Sequence, residues 1–145
     1  MVFALLGFIA LLVVPALDRR FMGLSVPPWV SVIGDLLVAL GFLLVYFVIR
    51  ENSYAASTIQ VAEGQTVVST GPYAVVRHPM YASALLYLEG TPLALGSYWG
   101  FVPLAGMLPF LIWRLFDEER FLALNLPGYT EYQRTVRHRL VPRIW

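Results

Sequence analysis

Long apolar runs separated by short polar stretches set the pattern of this 145-residue chain. The first run extends from about Met1 to Leu17 and the second from about Pro28 to Ile49, and neither contains a basic residue. Each approaches the roughly 20 residues that a helix needs to cross the hydrocarbon core of a bilayer, so both predict membrane spans. A third run, Met80 to Leu95, is parted from a fourth, Phe101 to about Phe116, by Gly96-Ser97-Tyr98-Trp99-Gly100. That spacing predicts a tight helical hairpin with an uncharged tip. Gly90-Thr91-Pro92 in the third run, and Pro103 and Pro109 in the fourth, predict bends, because each proline removes an intrahelical hydrogen bond. Bent helices leave cavities between them.

The polar stretches carry the remaining pattern. After Arg50-Glu51-Asn52 come a turn at Glu63-Gly64-Gln65, a short β-like run at Thr66-Val67-Val68, and a stiff hinge, Gly71-Pro72-Tyr73-Ala74-Val75-Val76-Arg77-His78-Pro79-Met80-Tyr81. This loop is too long to be a mere connection. From Asp117 onward the sequence is amphipathic, with Phe121, Leu122, Leu124 and Leu126 in one helical stretch, a break at Pro127-Gly128, and a further helix from Tyr129 to about His138. Such a tail is expected to lie along the membrane surface.

Composition agrees with the pattern. With 59% apolar and 13% charged residues, and a mean hydropathy of +0.70, the chain lies outside the range of ordinary soluble domains. The expected class is an all-α integral membrane protein of about four transmembrane helices, forming one domain over residues 1–145. Residues 1–50 supply two N-terminal spans, and residues 60–142 a core with a cytosolic loop. The first run has no basic segment before it and no small-residue cleavage site, so it reads as a true span and not as a removable signal. The absence of cysteine excludes disulfides, thiolate metal ligands and cysteine nucleophiles. Two histidines give no basis for a dedicated metal centre, and the expected partners are membrane lipids and a lipophilic small molecule, not nucleic acid.

Charge fixes an orientation. Every basic residue is an arginine. Four spans put the loop after the second run and the C-terminal tail on one side. That side holds Arg50, Arg77, Arg114, Arg120, Arg134, Arg137, Arg139 and Arg143, against Arg19 and Arg20 on the other. The positive-inside rule makes the richer side cytoplasmic, at the inner membrane if the chain is bacterial. The hinge and the acidic cluster Asp117-Glu118-Glu119 then share the cytosolic face.

The hinge has chemistry of its own. Pro79 suits the first turn of a helix, which puts His78 at the cap. A helix N-terminus favours anions, and Arg77 and His78 add donors there, although Arg77 at a lipid phosphate and His78 as a simple cap fit the same residues. Tyr73 and Tyr81 offer ring faces to a cation or a purine, or serve as interfacial belt residues. Glu118 and Glu119 suit an ammonium group, or a solvated pairing with Arg114 and Arg120. Asp35 and Glu89 fall inside apolar runs, where an acid is a functional candidate or a locally bonded packing element.

In combination, the order Gly-Pro-Tyr, Arg-His-Pro-x-Tyr, apolar hairpin, Arg-x-x-x-Glu-Glu, Tyr-x-x-Tyr and Val-Pro resembles the isoprenylcysteine carboxyl methyltransferase family and its bacterial relatives, which are close to the membrane phospholipid N-methyltransferases. The resemblance covers roughly Gln60 to Pro142. It implies S-adenosylmethionine as cofactor, in a pocket closed by the C-terminal helices. The pocket would be lined by Gln60, by the strand Gln65-Thr66-Val67-Val68, by Tyr73, and by the helix start His78-Pro79-Met80-Tyr81, and completed by Glu118. It gives Arg114, one turn before Glu118, the catalytic position facing the methyl acceptor. The acceptor is then a lipophilic carboxylate of the prenylcysteine type or a similar molecule. A lipid amine N-methyltransferase, a nicotinamide-dependent reductase of the sterol reductase kind, and a non-catalytic protein retaining the fold are the alternatives.

Overall fold

The computed structural model describes residues 2–23, 26–54, 59 and 61–145. The elements run α1 (Val2–Phe21), α2 (Pro28–Glu51), a 3-10 turn (Gly71–Ala74), α3 (Pro79–Ala94), a second 3-10 turn (Tyr98–Gly100), α4 (Phe101–Asn125) and α5 (Tyr129–Thr135). Every regular element among the described residues is helical.

Three stretches are long and apolar enough to cross a membrane, namely Val2–Phe21, Pro28–Glu51 and Tyr98–Asn125. The protein is therefore an integral membrane protein of the all-α class. The remaining expected span, the Met80–Leu95 run, forms a helix of the same length as the run and is not among these three. Helix α3 has 16 residues, about 24 Å of rise against a hydrocarbon core of roughly 30 Å. Its start is fixed by Pro79 at the first helical position, with Ala82 N–H bonding back to His78 O at 3.0 Å. Its end is fixed by Gly96, whose φ of 72° turns the chain.

The chain forms two compact units, residues 1–42 with 84–113 and residues 43–83 with 114–145. In the first unit Leu11, Leu88, Leu104 and Met107 form the buried centre, with Tyr87, Phe101 and Leu111 packed against it. Phe42 stacks on Tyr87 at 5.0 Å between ring centroids. Helices α2 and α3 meet backbone to backbone at Gly34 and Gly90, since a Cβ on Gly34 would stand 2.2 Å from Ala94 N. Small residues at such a crossing permit the close van der Waals packing that holds helices together in lipid. Many large apolar side chains of α1 and α2, among them Phe3, Leu5, Leu36 and Phe42, remain exposed, as lipid-facing residues are.

In the second unit the core is Leu126, Tyr129, Tyr132 and Val136, with Val61, Val67, Tyr73 and Leu122 around it. The run Thr66-Val67-Val68 is not a strand, contrary to its β-branched composition. Among the described residues no extended segment pairs with it, and Val67 packs instead beside Gly128, where a Cβ would lie 3.8 Å from Val67 Cγ2. Helix α5 ends at Thr135, three residues before the expected His138, because Val136 turns to extended geometry. The freed segment bonds to the hinge: Arg77 N–H donates to His138 O and His78 N–H to Arg139 O, each at 2.9 Å.

The prolines divide by position. Pro92 and Pro109 lie inside their helices. Pro103 is the third residue of α4, where the amide has no intrahelical partner to lose, so its expected disruption does not arise.

Candidate active site

Consecutive residues on an α-helix diverge by about 100°, so Glu118 and Glu119 of α4 face different neighbours. The two carboxylates accordingly do different work.

Glu119 is a buried hub. Its Oε1 accepts from Arg77 Nε at 2.7 Å and lies 3.1 Å from His78 Nε2. Its Oε2 accepts from Arg139 Nε at 3.0 Å. Arg77 also donates through Nη1 to Val136 O at 3.0 Å and Arg137 O at 3.1 Å, while the Arg139 guanidinium sits over the rings of Phe116 and Trp145. One carboxylate thus ties the hinge, α4 and the 136–139 segment together. A buried charge is tolerable on these terms, paired and hydrogen-bonded throughout.

Glu118 belongs to a second, less buried constellation. Its Oε2 accepts from Tyr81 Oη at 2.6 Å, and the same phenol accepts from Arg114 Nε at 3.1 Å. Arg114 and Glu118 are four residues apart and therefore share one face of α4, with the Tyr81 hydroxyl joining them. His78 meets Tyr81 edge to face at 5.6 Å between centroids.

The Gly71–Ala74 turn is held from two sides. Thr70 Oγ1 donates to Glu51 Oε1 at the end of α2. Gly71 stands against that carboxyl with φ of 56°, where a Cβ would fall 2.8 Å from Glu51 Cδ. Only glycine tolerates both the torsion and the approach. From the other side Tyr132 Oη donates to Tyr73 O at 2.7 Å. Burial, partly countered by a hydrogen bond with Asn52, raises the pKa of the Tyr73 phenol.

The structure brings Tyr73, His78, Pro79, Met80, Tyr81, Arg114 and Glu118 into one unit with Val67. The side chains of Arg77 and His78 are engaged with Glu119, so neither adds the donor expected at the start of α3. Gln65 closes its own turn, accepting from Ala62 N–H through Oε1 at 2.9 Å. Thr66 is exposed and Val68 half-buried. Gln60 lies outside the described residues. Glu51, Tyr129, Tyr132 and Arg139 were not singled out by sequence; of these only Tyr129 and Tyr132 carried a signal, the Tyr-x-x-Tyr spacing. Asp35 and Glu89 occupy exposed helix faces. Asp18, near the end of α1, is buried and accepts from Ser97 Oγ at 2.5 Å.

S-adenosylmethionine presents an ammonium, a carboxylate, a sulfonium and an adenine, and the donor set suits such a molecule. Glu118 and Tyr81 offer negative charge and a hydroxyl, and Tyr73 offers a ring. One buried polar atom in the unit, the Tyr129 hydroxyl, has no hydrogen-bond partner among the described residues.

The model of a phospholipid methyltransferase family matches residues 29–126. The chain belongs to the phospholipid methyltransferase family. It is also 32% identical over 111 residues to the cobalt-zinc-cadmium resistance protein CzcN of Cupriavidus metallidurans, covering 73% of this chain and 48% of that protein. The chain therefore spans about half the length of that curated relative. The family match includes Tyr73, the Arg-His-Pro-x-Tyr element and the Arg114–Glu119 segment, and stops just before α5.

Proposed function

We propose that the chain is a membrane methyltransferase that uses S-adenosylmethionine and methylates a lipophilic acceptor, with its site open to the cytoplasm. The observation that supports this reading is the Arg114–Tyr81–Glu118 constellation, which lies inside the segment that matches the family. The cofactor, when bound, supplies a methyl group already activated by its sulfonium.

The protein then has to position the acceptor, exclude water and balance charge. Glu118 holds the cofactor's ammonium, and Tyr81 fixes the carboxylate that does so. Arg114 orients a carboxylate acceptor through its guanidinium, and its Nε bond to Tyr81 couples that orientation to the cofactor side. The Glu119 hub keeps the 136–139 segment against the hinge. The apolar cluster around Tyr132 keeps water from the region behind Tyr73. The name of the phospholipid methyltransferase family favours a second acceptor, the amine of a phospholipid headgroup.

Titration of the purified protein in detergent with S-adenosylhomocysteine tests the reading. Binding at micromolar concentration, lost in Glu118→Ala, is expected. Binding of NADPH with no binding of S-adenosylhomocysteine would overturn it in favour of a reductase.

A further inference from the structure

Tyr129 begins the short helix α5 and is 4% exposed. Its ring packs in the cluster of Leu126, Tyr132 and Val136, against which Val67 and Tyr73 also pack. Its ring contact with Tyr132, at 5.8 Å between centroids, fixes its direction. Tyr132 spends its hydroxyl on Tyr73 O. Tyr129 has no such outlet, and its hydroxyl is buried without a partner among the described residues.

Leaving a buried hydroxyl unbonded is unfavourable, and native proteins rarely do so without a reason. A phenylalanine would fill the same apolar space without that cost. The electrostatic surroundings give the reason a direction. Burial first, and then the nearby Glu119 charge, push the Tyr129 phenol above its ordinary range, with Glu118 acting in the same sense and Arg77 against it. The group is thus a neutral donor, buried in the same compact unit as Glu118 and packed in one cluster with Tyr73. Where Glu118 takes an ammonium, the carboxylate on the same carbon needs a donor close by.

We infer that the Tyr129 hydroxyl is a binding residue for the carboxylate at the amino-acid end of the cofactor, completing its hydrogen bonding only when the cofactor is present. This rests on the proposed use of S-adenosylmethionine. It assigns to the first tyrosine of Tyr-x-x-Tyr a ligand role distinct from that of the second, which serves the Gly71–Ala74 turn.

The test compares wild type with Tyr129→Phe in the full chain, using calorimetric titration with S-adenosylhomocysteine and with 5′-methylthioadenosine, which lacks the amino-acid end. Thermal unfolding of both proteins is followed without ligand. The variant should bind S-adenosylhomocysteine about tenfold or more weakly, the loss of a hydrogen bond to a charged group. It should bind methylthioadenosine as wild type does, and its ligand-free melting temperature should equal or exceed that of wild type. Unchanged affinity for S-adenosylhomocysteine overturns the inference, as does an equal loss for both ligands or a lowered ligand-free melting temperature, which marks a structural hydroxyl. Absence of S-adenosylhomocysteine binding by wild type overturns the proposed function itself, and this inference with it.

Discussion

Arg77 Nε donates to Glu119 Oε1 at 2.7 Å across 42 residues of sequence, with both side chains buried. The pair joins the hinge before α3 to the C-terminal part of α4, and Arg139 closes it from the tail. Breaking a buried pair by removing one partner leaves an uncompensated charge. Glu119→Ala should therefore cost about 3–5 kcal/mol, read as a large fall in melting temperature in detergent. Glu118→Ala, on the neighbouring and more open constellation, should leave the melting temperature within a few degrees of wild type. Equal destabilisation by the two substitutions would contradict the division of labour between these carboxylates.

The Gly34–Gly90 crossing makes a steric prediction. Gly34→Ala places a methyl 2.2 Å from the Ala94 amide nitrogen, a backbone atom that cannot swing away. Helices α2 and α3 must separate, and the yield of folded protein from the membrane should drop sharply. Gly106→Ala on α4 is the control, because nothing lies within 4 Å of its Cβ position. There the greater helix propensity of alanine should be neutral or stabilising by about 0.5–1 kcal/mol.

Alkaline unfolding should report the buried tyrosines. All ten basic residues are arginines and there is no cysteine, so the eight tyrosines are the side chains that titrate between neutrality and the range where arginine loses its charge. Burial raises the phenol pKa of Tyr73, Tyr129 and Tyr132 in the folded protein. A raised folded value means that the unfolded chain ionises first as pH climbs. The stabilisation from these groups is complete below pH of about 10 and is lost above it. Melting temperature should hold steady to about pH 9 and fall beyond it, with a shallower fall in Tyr132→Phe relative to that variant's own neutral value.

Substitutions along the Arg114–Tyr81–Glu118 line should separate acceptor chemistry from cofactor binding. Arg114→Ala should abolish turnover while sparing affinity for S-adenosylhomocysteine. Tyr81→Phe removes the hydroxyl that holds Glu118 and should weaken cofactor binding as well as turnover. Calorimetry showing equal loss of cofactor affinity in both variants would count against that split.

Much of this arrangement was legible in the chain. Apolar runs located α1 and α2 to within a few residues and the start of α4, and Pro79 marked the start of α3; α4 itself continues nine residues past Phe116, through the stretch expected to lie along the membrane surface, to Asn125. The i, i+4 spacing placed Arg114 and Glu118 on one face. What escaped was whatever depends on partners distant in sequence. Glu119 reads like its neighbour Glu118, and only the folded hinge and tail show that it collects Arg77, His78 and Arg139. Val67 and Val68 have strand composition, but an isolated run with no partner ladder packs as a loop. Asp18 drew no attention beside Arg19 and Arg20, yet it is buried and bonded to Ser97, 79 residues away. Asp35 and Glu89 drew attention because they interrupt apolar runs, and helical phase turns both outward.

The central claim, methyl transfer at the Arg114–Tyr81–Glu118 site, is tested most directly by incubating membranes that contain the protein with S-adenosylmethionine labelled in its methyl group and extracting them with organic solvent. The account predicts label in the lipid-soluble fraction with wild type and background levels with Glu118→Ala at equal protein abundance. Label at the same level with both proteins, or with neither, would contradict it.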